Sequence, residues 1–383
     1  MPLTRPTAVI GSAMMVPVTS DRSSLEELLY EVSQAALKDA GLTVEAIDGI
    51  VVGSNDQIDG RAISVMMASV SVGGVDRDIL STPSAGEHAF VMGVLRVAST
   101  QYETQLVVSW GPTEATSLPE VERLAADPYF HRRLPLDDLS SFALQATALI
   151  AAQPHAEQAA AALVAQNRRR GALAYPAATG PVATSAQIAA SKPARWPLRE
   201  GMLRAPVFGV VALVLASDTH VKKAGIANPA WVRGMGWATE AAFLGDRDLT
   251  QASALEEAAR QAFEDAGVDG IGGIDVAELS GATPYQELIA CQALGIAGPE
   301  GWAELVRKEH THPALNPSGG VASINPVYCG GLVRIAEAAN QVRGTAGKHQ
   351  AAAVKTALAQ AASGPADMYQ TVVVFGRDLG ATQ

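Results

Sequence analysis

One helix–strand pattern occurs twice in this sequence. An amphipathic helix beginning at Leu25-Glu26-Glu27 ends at Ala40-Gly41, and the strand-like residues 47–53 follow it. A second helix beginning at Leu255-Glu256-Glu257 ends at Ala266-Gly267 and precedes the strand-like residues 274–281. Candidate strands at residues 7–11 and 231–234 lie before the two helices. The sequence therefore predicts an α/β chain built from two similar halves.

A different kind of segment separates the two copies. Residues 112–206 are rich in Ala, Pro and Arg, with helix-like stretches at 140–152 and 155–169. The apolar residues 207–216 then continue the sheet. We predict an N-terminal half over residues 1–228, interrupted by an inserted helical lobe at about 112–206, and a C-terminal half over residues 229–383.

Composition excludes several classes of function. The chain has 383 residues, 48% of them hydrophobic, which is enough for two domain-sized cores. The net charge of −11 is spread without long like-charge runs, so no nucleic-acid partner is expected. The longest apolar stretch is too short to predict a membrane span. The two cysteines, Cys291 and Cys329, and an N-terminus without an apolar run favour a cytoplasmic location.

A glycine-rich loop near the C-terminal end is the strongest indication of a functional site. Asn316, Gly319 and Gly320 lie at its beginning, and Gly330-Gly331 precede a helix-like stretch at its end. Paired glycines before a helix are typical of a chain that closely approaches another group.

These features together resemble the thiolase superfamily, and more narrowly its sterol-carrier-protein-x and lipid-transfer-protein-like branch. The resemblance extends over nearly the whole chain and rests on the duplicated halves, the lobe ending at Trp196-Pro197, and the loop from Asn316 to Gly331. It implies a duplicated five-layer αβαβα architecture with an inserted helical loop lobe. It also implies a homodimer formed through a sheet edge, which we place at residues 100–110.

The catalytic residues of that family are replaced in this sequence. Aligning Gly86 with the family's glycine puts Pro83 on the cysteine nucleophile, and we expect the adjacent Ser84 to cap a helix, with His88 within reach of it. Aligning Gly331 puts Asn325 on the catalytic histidine. The third motif falls on residues 280–283 and the fourth on residues 360–365, again without the family's residues. Thiolytic chemistry is therefore not expected.

Four residues remain as catalytic candidates. Tyr328 either acts as a general acid or base in catalysis, or is a partly buried ring without a catalytic role. Cys329 is either a reactive thiol or a small buried side chain. Tyr285 is either functional or part of the core, and Asn325 either braces the loop or donates a hydrogen bond to a ligand. The predicted substrate-binding residues are Ser84, His88, Asn316, Gly319, Gly320, Ser363 and Gly364.

The branch resembled includes aldolases that cleave the side chains of steroid acyl-CoA thioesters and pair with a small OB-fold and zinc-ribbon protein. The resemblance implies retro-aldol cleavage of a β-hydroxyacyl-CoA, in which Tyr328 and Asn325 are the candidates for base and enolate donor. Coenzyme A would enter as part of the substrate, and no permanently bound cofactor is expected. A catalytically silent acyl-CoA-binding or scaffold subunit and an acyltransferase remain as alternatives.

No metal site is predicted. His310 and His312, flanked by Glu309, have a ligand-like spacing, but a pair without further ligands is more typical of a solvated loop.

Overall fold

A computed structural model describes residues 4–18, 23–111, 117–129, 131–179, 182–308 and 310–380. The strands are β1 (Thr7–Met15), β2 (Gly49–Gly53), β3 (Asp78–Thr82), β4 (Thr104–Gly111), β5 (Pro193–Arg195), β6 (Leu198–Arg199), β7 (Gly209–Ser217), β8 (Ala230–Thr239), β9 (Val276–Glu278), β10 (Ala314–Leu315), β11 (Thr356–Ser363) and β12 (Tyr369–Gly376). The helices are α1 (Leu25–Asp39), α2 (Asp56–Asp59), α3 (Ser64–Ser71), α4 (Gly86–Ala98), α5 (Leu118–Ala125), α6 (Asp138–Ala152), α7 (Ala156–Ala174), α8 (Pro176–Thr179), α9 (Ser185–Ala189), α10 (Asp218–Ala224), α11 (Ser253–Ala266), α12 (Pro284–Ala293), α13 (Trp302–Arg307), α14 (Gly320–Ser323) and α15 (Gly330–Arg343).

The order of strands in the main sheet shows the duplication directly. The order is β10-β9-β11-β12-β8-β1-β7-β4-β2-β3, with β5 and β6 forming a separate hairpin. Counted outward from the centre, the first half runs β1-β7-β4-β2-β3 and the second runs β8-β12-β11-β9-β10. In both halves the two inner pairings are antiparallel and the two outer ones are parallel. The halves join where Ala8 pairs with Trp231 and Val9 with Ala230.

The helices divide the molecule into five layers. Helix α1 packs on β1 and β7, and its counterpart α11 packs on β8 and β12. Helices α4 and α15 pack on the opposite faces of their own halves and contact each other. Buried side chains accordingly form one cluster around α4 and α15 and one cluster on the outer side of each half. This is the predicted αβαβα architecture, and the predicted fold class is confirmed.

The repeated helices begin and end largely as the sequence predicts. Ser24 caps α1, and its hydroxyl oxygen accepts from the main-chain nitrogen of Glu27 in a capping box. Gly267 ends α11 with φ of +63°, a left-handed conformation that glycine adopts without a steric cost. Gly41 follows α1 with φ of +69°.

The segment between β4 and β7 is a helical lobe that covers the second half. Its long helices α6 and α7 correspond to the two helices expected from the sequence. Helix α7 packs on α12, α13 and α14, and the amide of Asn167 donates to both carboxylate oxygens of Glu287 at 2.9 and 2.8 Å. The lobe is thereby fixed beside the glycine-rich loop between β10 and α15.

One expectation about the surface is wrong. We predicted that residues 100–110 lie at a sheet edge available to a second copy, but β4 is flanked by β2 and β7 and all eight of its residues are buried. The edge strand of the first half is β3. Pairing with β2 and β7 places β4 in the interior of the sheet, as is typical of strands that are hydrophobic on both faces. No helix in the described residues is long and apolar enough to cross a membrane.

Candidate active site

The N-termini of the two central helices meet at the junction of the halves. The main-chain nitrogen of Gly86, the first residue of α4, donates to the carbonyl oxygen of Tyr328 at 2.7 Å. A Cβ on Gly86 would lie 2.9 Å from the Cβ of Leu332 in α15, so the missing side chain permits the close approach. Helix N-termini carry partial positive charge, and two of them here face one region.

The structure places a serine and a histidine beside α4. Nδ1 of His88 lies 3.0 Å from Oγ of Ser84, as the sequence suggested, and the His88 ring meets the Tyr369 ring edge-on at 6.2 Å. The predicted capping role of Ser84 is wrong, because Ala85 occupies the N-cap and no side chain caps the helix. Ser84 is therefore available for the contact with His88.

Tyr328 lies in the glycine-rich loop just before α15. Its φ of +71° is a left-handed conformation that costs a non-glycine residue free energy. Burial, followed by the negative charges of Asp138 and Glu122, raises the pKa of its phenol. The phenol is therefore protonated at neutral pH and is equipped to donate a proton or a hydrogen bond.

The other two loop candidates are engaged with the main chain. Nδ2 of Asn325 donates to the carbonyl oxygen of Arg204 at 3.0 Å, which is the contact expected of a loop-bracing residue. Cys329 is fully buried, with its Sγ between 3.6 and 3.9 Å from three carbonyl oxygens. Burial raises the pKa of the Cys329 thiol to about 12, whereas a thiolate nucleophile requires a lowered pKa.

The remaining predicted residues are dispersed around the loop. Tyr285 is fully buried on α12, and burial raises the pKa of its hydroxyl. Asn316 is buried as well: its Oδ1 accepts from the main-chain nitrogen of Leu279 at 2.7 Å, and its Nδ2 donates to Glu287 at 2.7 Å. Gly319, Gly320 and Gly364 all have positive φ, and Ser363 ends β11. Asn316 and these glycines shape the loops.

A buried carboxyl group beside this junction was missed by the sequence analysis. Glu87, the second residue of α4, is 1% exposed, and a Cβ on Gly331 would come within 2.3 Å of its Oε2. Burial raises the pKa of Glu87, although the charge of His88 opposes the shift. The sequence signal was a glutamate directly following Gly86, where a surface position was the simpler interpretation.

A second group of acids, also missed, lines a cleft between the lobe and the loop joining β11 to β12. Glu122, Asp137, Asp138 and His131 line it. Burial and neighbouring carboxylates raise the pKa of Glu122 to about 8 and that of Asp138 to about 6. Raised carboxyl pKa values near neutrality are typical of groups that exchange protons during catalysis.

No cluster of three or more metal-ligating side chains occurs in the described ranges. His312 lies on the surface with Nε2 3.4 Å from the carbonyl oxygen of Gly272, and Glu309 is outside the described residues.

Comparisons with known proteins agree with this geometry. The thiolase C-terminal domain-like family matches residues 237–377. Sterol carrier protein 2 of Oryctolagus cuniculus is 34% identical over 161 residues, which cover 39% of this chain but 29% of that protein. The match thus spans under a third of this relative.

Solved structures match over almost the whole chain. The Ltp2-ChsH2(DUF35) aldolase superposes with a TM-score of 0.82 at 17% identity, covering 97% of this chain and 98% of the other. A monomeric SCP2-thiolase-like protein type 1 from Mycobacterium smegmatis gives a TM-score of 0.75 at 19% identity, covering 99% of this chain and 78% of the other. At these identities the likeness establishes the fold.

The chain therefore has the thiolase fold, with duplicated halves and a candidate site where two helix N-termini meet, and residues 237–377 match the thiolase C-terminal domain-like family. Part of its sequence is similar to sterol carrier protein 2.

Proposed function

We propose that this protein cleaves a carbon–carbon bond of a β-hydroxyacyl-CoA thioester by a retro-aldol reaction. The observation that carries the proposal is Tyr328, a protonated tyrosine beside the N-termini of α4 and α15. Cys329 is buried, and Asn325 replaces the family's histidine. A retro-aldol reaction needs a base for the hydroxyl and a donor for the enolate, but no covalent intermediate.

In the proposed reaction, the helix N-termini and Tyr328 have different roles. Removal of the hydroxyl proton allows the Cα–Cβ bond to break, and its electron pair passes to the thioester as an enolate. Partial positive charge at the two helix N-termini favours the enolate oxygen, and the Tyr328 phenol supplies the proton that Cα needs. The raised pKa of Tyr328 supports this donor role in place of the base role that the sequence suggested.

Two arginines beside the glycine-rich loop support an anionic substrate such as coenzyme A. Arg168 donates to the carbonyl oxygens of Ala322 and Leu203, at 3.4 and 3.0 Å, and the guanidinium of Arg204 contacts the carbonyl oxygen of Ala178. Burial and the nearby charge of Arg204 lower the pKa of Arg168. Neither pairs with a carboxylate within the described residues, and adjacent cations of this kind favour a phosphate ligand.

Partner chains form part of the proposal. The exposed edge strand β3 and the protruding side chains of Met66 and Val70 on α3, 67% and 70% exposed, form a surface suited to a second copy of the chain. The aldolase with the same fold contains a DUF35 partner, ChsH2. We infer that a small OB-fold and zinc-ribbon protein of this kind also completes the present enzyme.

The direct test uses purified protein, alone and with the proteins encoded beside it. Incubation with β-hydroxyacyl-CoA thioesters of steroid and straight-chain acids should release a shortened acyl-CoA and a carbonyl product in equal amounts, measured by mass spectrometry. Tyr328→Phe should lower the rate by about 100-fold or more. Tyr30→Phe, on the outer surface of α1, is the matched control and should not change it. Unchanged cleavage by Tyr328→Phe would contradict the assignment.

A non-catalytic subunit is the second candidate. It is favoured by the engagement of Asn325 with the main chain and by the burial of Cys329. In that case Tyr328→Phe and Asn325→Ala would leave the turnover of the complete complex intact.

An acyltransferase is the third candidate, because Ser84 lies within hydrogen-bonding distance of His88. It requires an acyl adduct on Ser84, visible by intact-mass measurement and absent from Ser84→Ala.

A further inference from the structure

The acidic cleft between the lobe and the second half has no role so far in the proposed reaction. Glu122 of α5 and Asp138 of α6 approach each other there, and the main-chain nitrogen of Asp138 donates to Oε2 of Glu122 at 3.3 Å. Pro365, in the loop that follows Ser363, closes the cleft from the other side. Two mostly buried carboxyl groups that line one cleft disfavour simultaneous ionisation.

The third acid in the cleft has a structural task. Oδ1 of Asp137 accepts from the main-chain nitrogen of Ser140 at 2.7 Å and caps α6. Its Oδ2 pairs with Arg195 at 3.2 Å. Asp137 is thereby satisfied, and Glu122 and Asp138 remain as the pair able to exchange a proton.

An independent observation indicates that the cleft accommodates a ligand. His131 is 6% exposed, lines the cleft and stacks on Phe243 at 5.8 Å between ring centroids. Within the described residues its buried Nε2 has no hydrogen-bond partner. A buried polar atom without a partner costs about 1–3 kcal/mol, so it calls for a polar group from a ligand.

The cleft is electrostatically connected to the site. The negative charges of Asp138 and Glu122 both act on the Tyr328 phenol, and that of Asp138 also acts on Asp367 in the loop between β11 and β12. The cleft is therefore within electrostatic range of the site.

We propose that Glu122 and Asp138 share one proton and act as the base that accepts the β-hydroxyl proton of the substrate, with His131 binding the oxygen that becomes the carbonyl. This inference rests on the proposed retro-aldol function. The proton passes from the hydroxyl to the carboxylate pair as the carbonyl forms and Cα–Cβ breaks. Tyr328 protonates Cα, and the carboxylic acid returns a proton to the Tyr328 phenolate, so the cycle closes without an external reagent.

The pH dependence follows from the groups that face the pair. These are Asp137 and His131 in the cleft, Tyr328 in the loop before α15, and Asp367 with its neighbour Arg247. Since the base is the pair with one shared proton, kcat/KM should rise as pH rises through about 6, where the pair loses its first proton, and fall above about 8, where it loses the shared one. Tyr328 stays protonated across this pH range, so its own ionisation does not lower kcat/KM.

The test compares Glu122→Gln and Asp138→Asn with Glu120→Gln, a fully matched change at an exposed position on the same helix. Each cleft variant should lower kcat/KM by about 100-fold or more and lose the rise through about pH 6, whereas Glu120→Gln should keep the wild-type rate and pH profile. Unfolding temperatures of all three verify that the fold is retained. Asp138→Asn also preserves the main-chain nitrogen that contacts Glu122.

The outcomes separate the two proposals. If the wild type cleaves substrate, Tyr328→Phe does not, and both cleft variants keep the wild-type pH profile, the acid pair is not the base while the retro-aldol function stands. If the wild type cleaves no β-hydroxyacyl-CoA in the presence of its partners, both proposals fall.

Discussion

Arg334 and Glu278 form an ion pair at the centre of the molecule, with Nη1 and Oε2 3.2 Å apart and neither side chain more than 1% exposed. The hydroxyl and main-chain nitrogen of Ser318 donate to the same carboxylate at 2.6 and 2.9 Å. The pair thus links α15 and β9 to the glycine-rich loop. Removal of one partner would leave a buried charge without compensation.

We therefore expect Arg334→Met to destabilise the protein by about 3–5 kcal/mol, measured as the free energy of unfolding in urea. Arg260→Met, which removes two exposed ion pairs on α11, is the control and should leave the unfolding curve nearly unchanged. A small effect of Arg334→Met would mean that Glu278 becomes protonated at little cost.

Adjacent glycines at the start of α15 offer a matched comparison. A Cβ on Gly331 would lie 2.3 Å from Oε2 of Glu87 and 2.8 Å from the Cβ of Ala361, whereas a Cβ on Gly330 would meet nothing within 4 Å. Gly331→Ala should destabilise the protein by about 1–3 kcal/mol. Gly330→Ala should be neutral or stabilise it by about 0.4–1 kcal/mol. Thermal unfolding of both variants measures the difference, and equal melting temperatures would contradict the close packing.

A buried acid makes stability depend on pH. Burial raises the pKa of Glu287 to about 7, even though Asn167 and Asn316 donate hydrogen bonds to it. The folded protein then binds this proton more tightly than the unfolded chain, whose glutamate pKa is about 4.3. The resulting stability is fully present below about pH 4 and is lost as pH rises to about 7.

Glu287→Gln should make the free energy of unfolding less dependent on pH. Between pH 4.5 and 8 the decrease should be smaller than in the wild type by at most roughly 3 kcal/mol. Urea unfolding of wild type and variant at several pH values provides the measurement. Glu264→Gln, at an exposed position of α11, should follow the wild-type curve. Parallel curves for wild type and Glu287→Gln would show that Glu287 titrates normally.

The surface next to β3 gives a prediction about assembly. Val70, on α3, is 70% exposed and belongs to this surface. Leu173, on α7 of the lobe, is 55% exposed and does not belong to it. Val70→Lys should shift a dimer towards monomer in light-scattering measurements at micromolar concentration, because a charge would be buried at the interface. Leu173→Lys should not. A wild-type monomer at all concentrations would exclude this interface.

The sequence predicted the architecture well because its main signals are local. Helix periodicity and the glycine after each repeated helix can be recognised in a single sequence. They predicted both halves and the lobe helices. The position of β4 inside the sheet depends on which strands pair, which no local pattern specifies.

The site was harder to predict because its groups come from separate elements. Glu122 and Asp138 lie on different helices of the lobe, and only packing brings them together in one cleft. Serine is a residue type that often caps helices, but Ala85 and not Ser84 occupies the N-cap of α4. Glu87 is buried because α4 is covered on both sides, a property of the five-layer fold and not of its helix pattern.

The contact of α4 with α15 has a consequence for how the chain becomes functional. Each half supplies one of the helix N-termini, so neither half folded by itself would hold a complete site. A chain cut in the linker between α10 and β8 should yield two inactive fragments whose activity returns, with a concentration dependence, when they associate. The proposed activity would therefore require that the two repeats have docked.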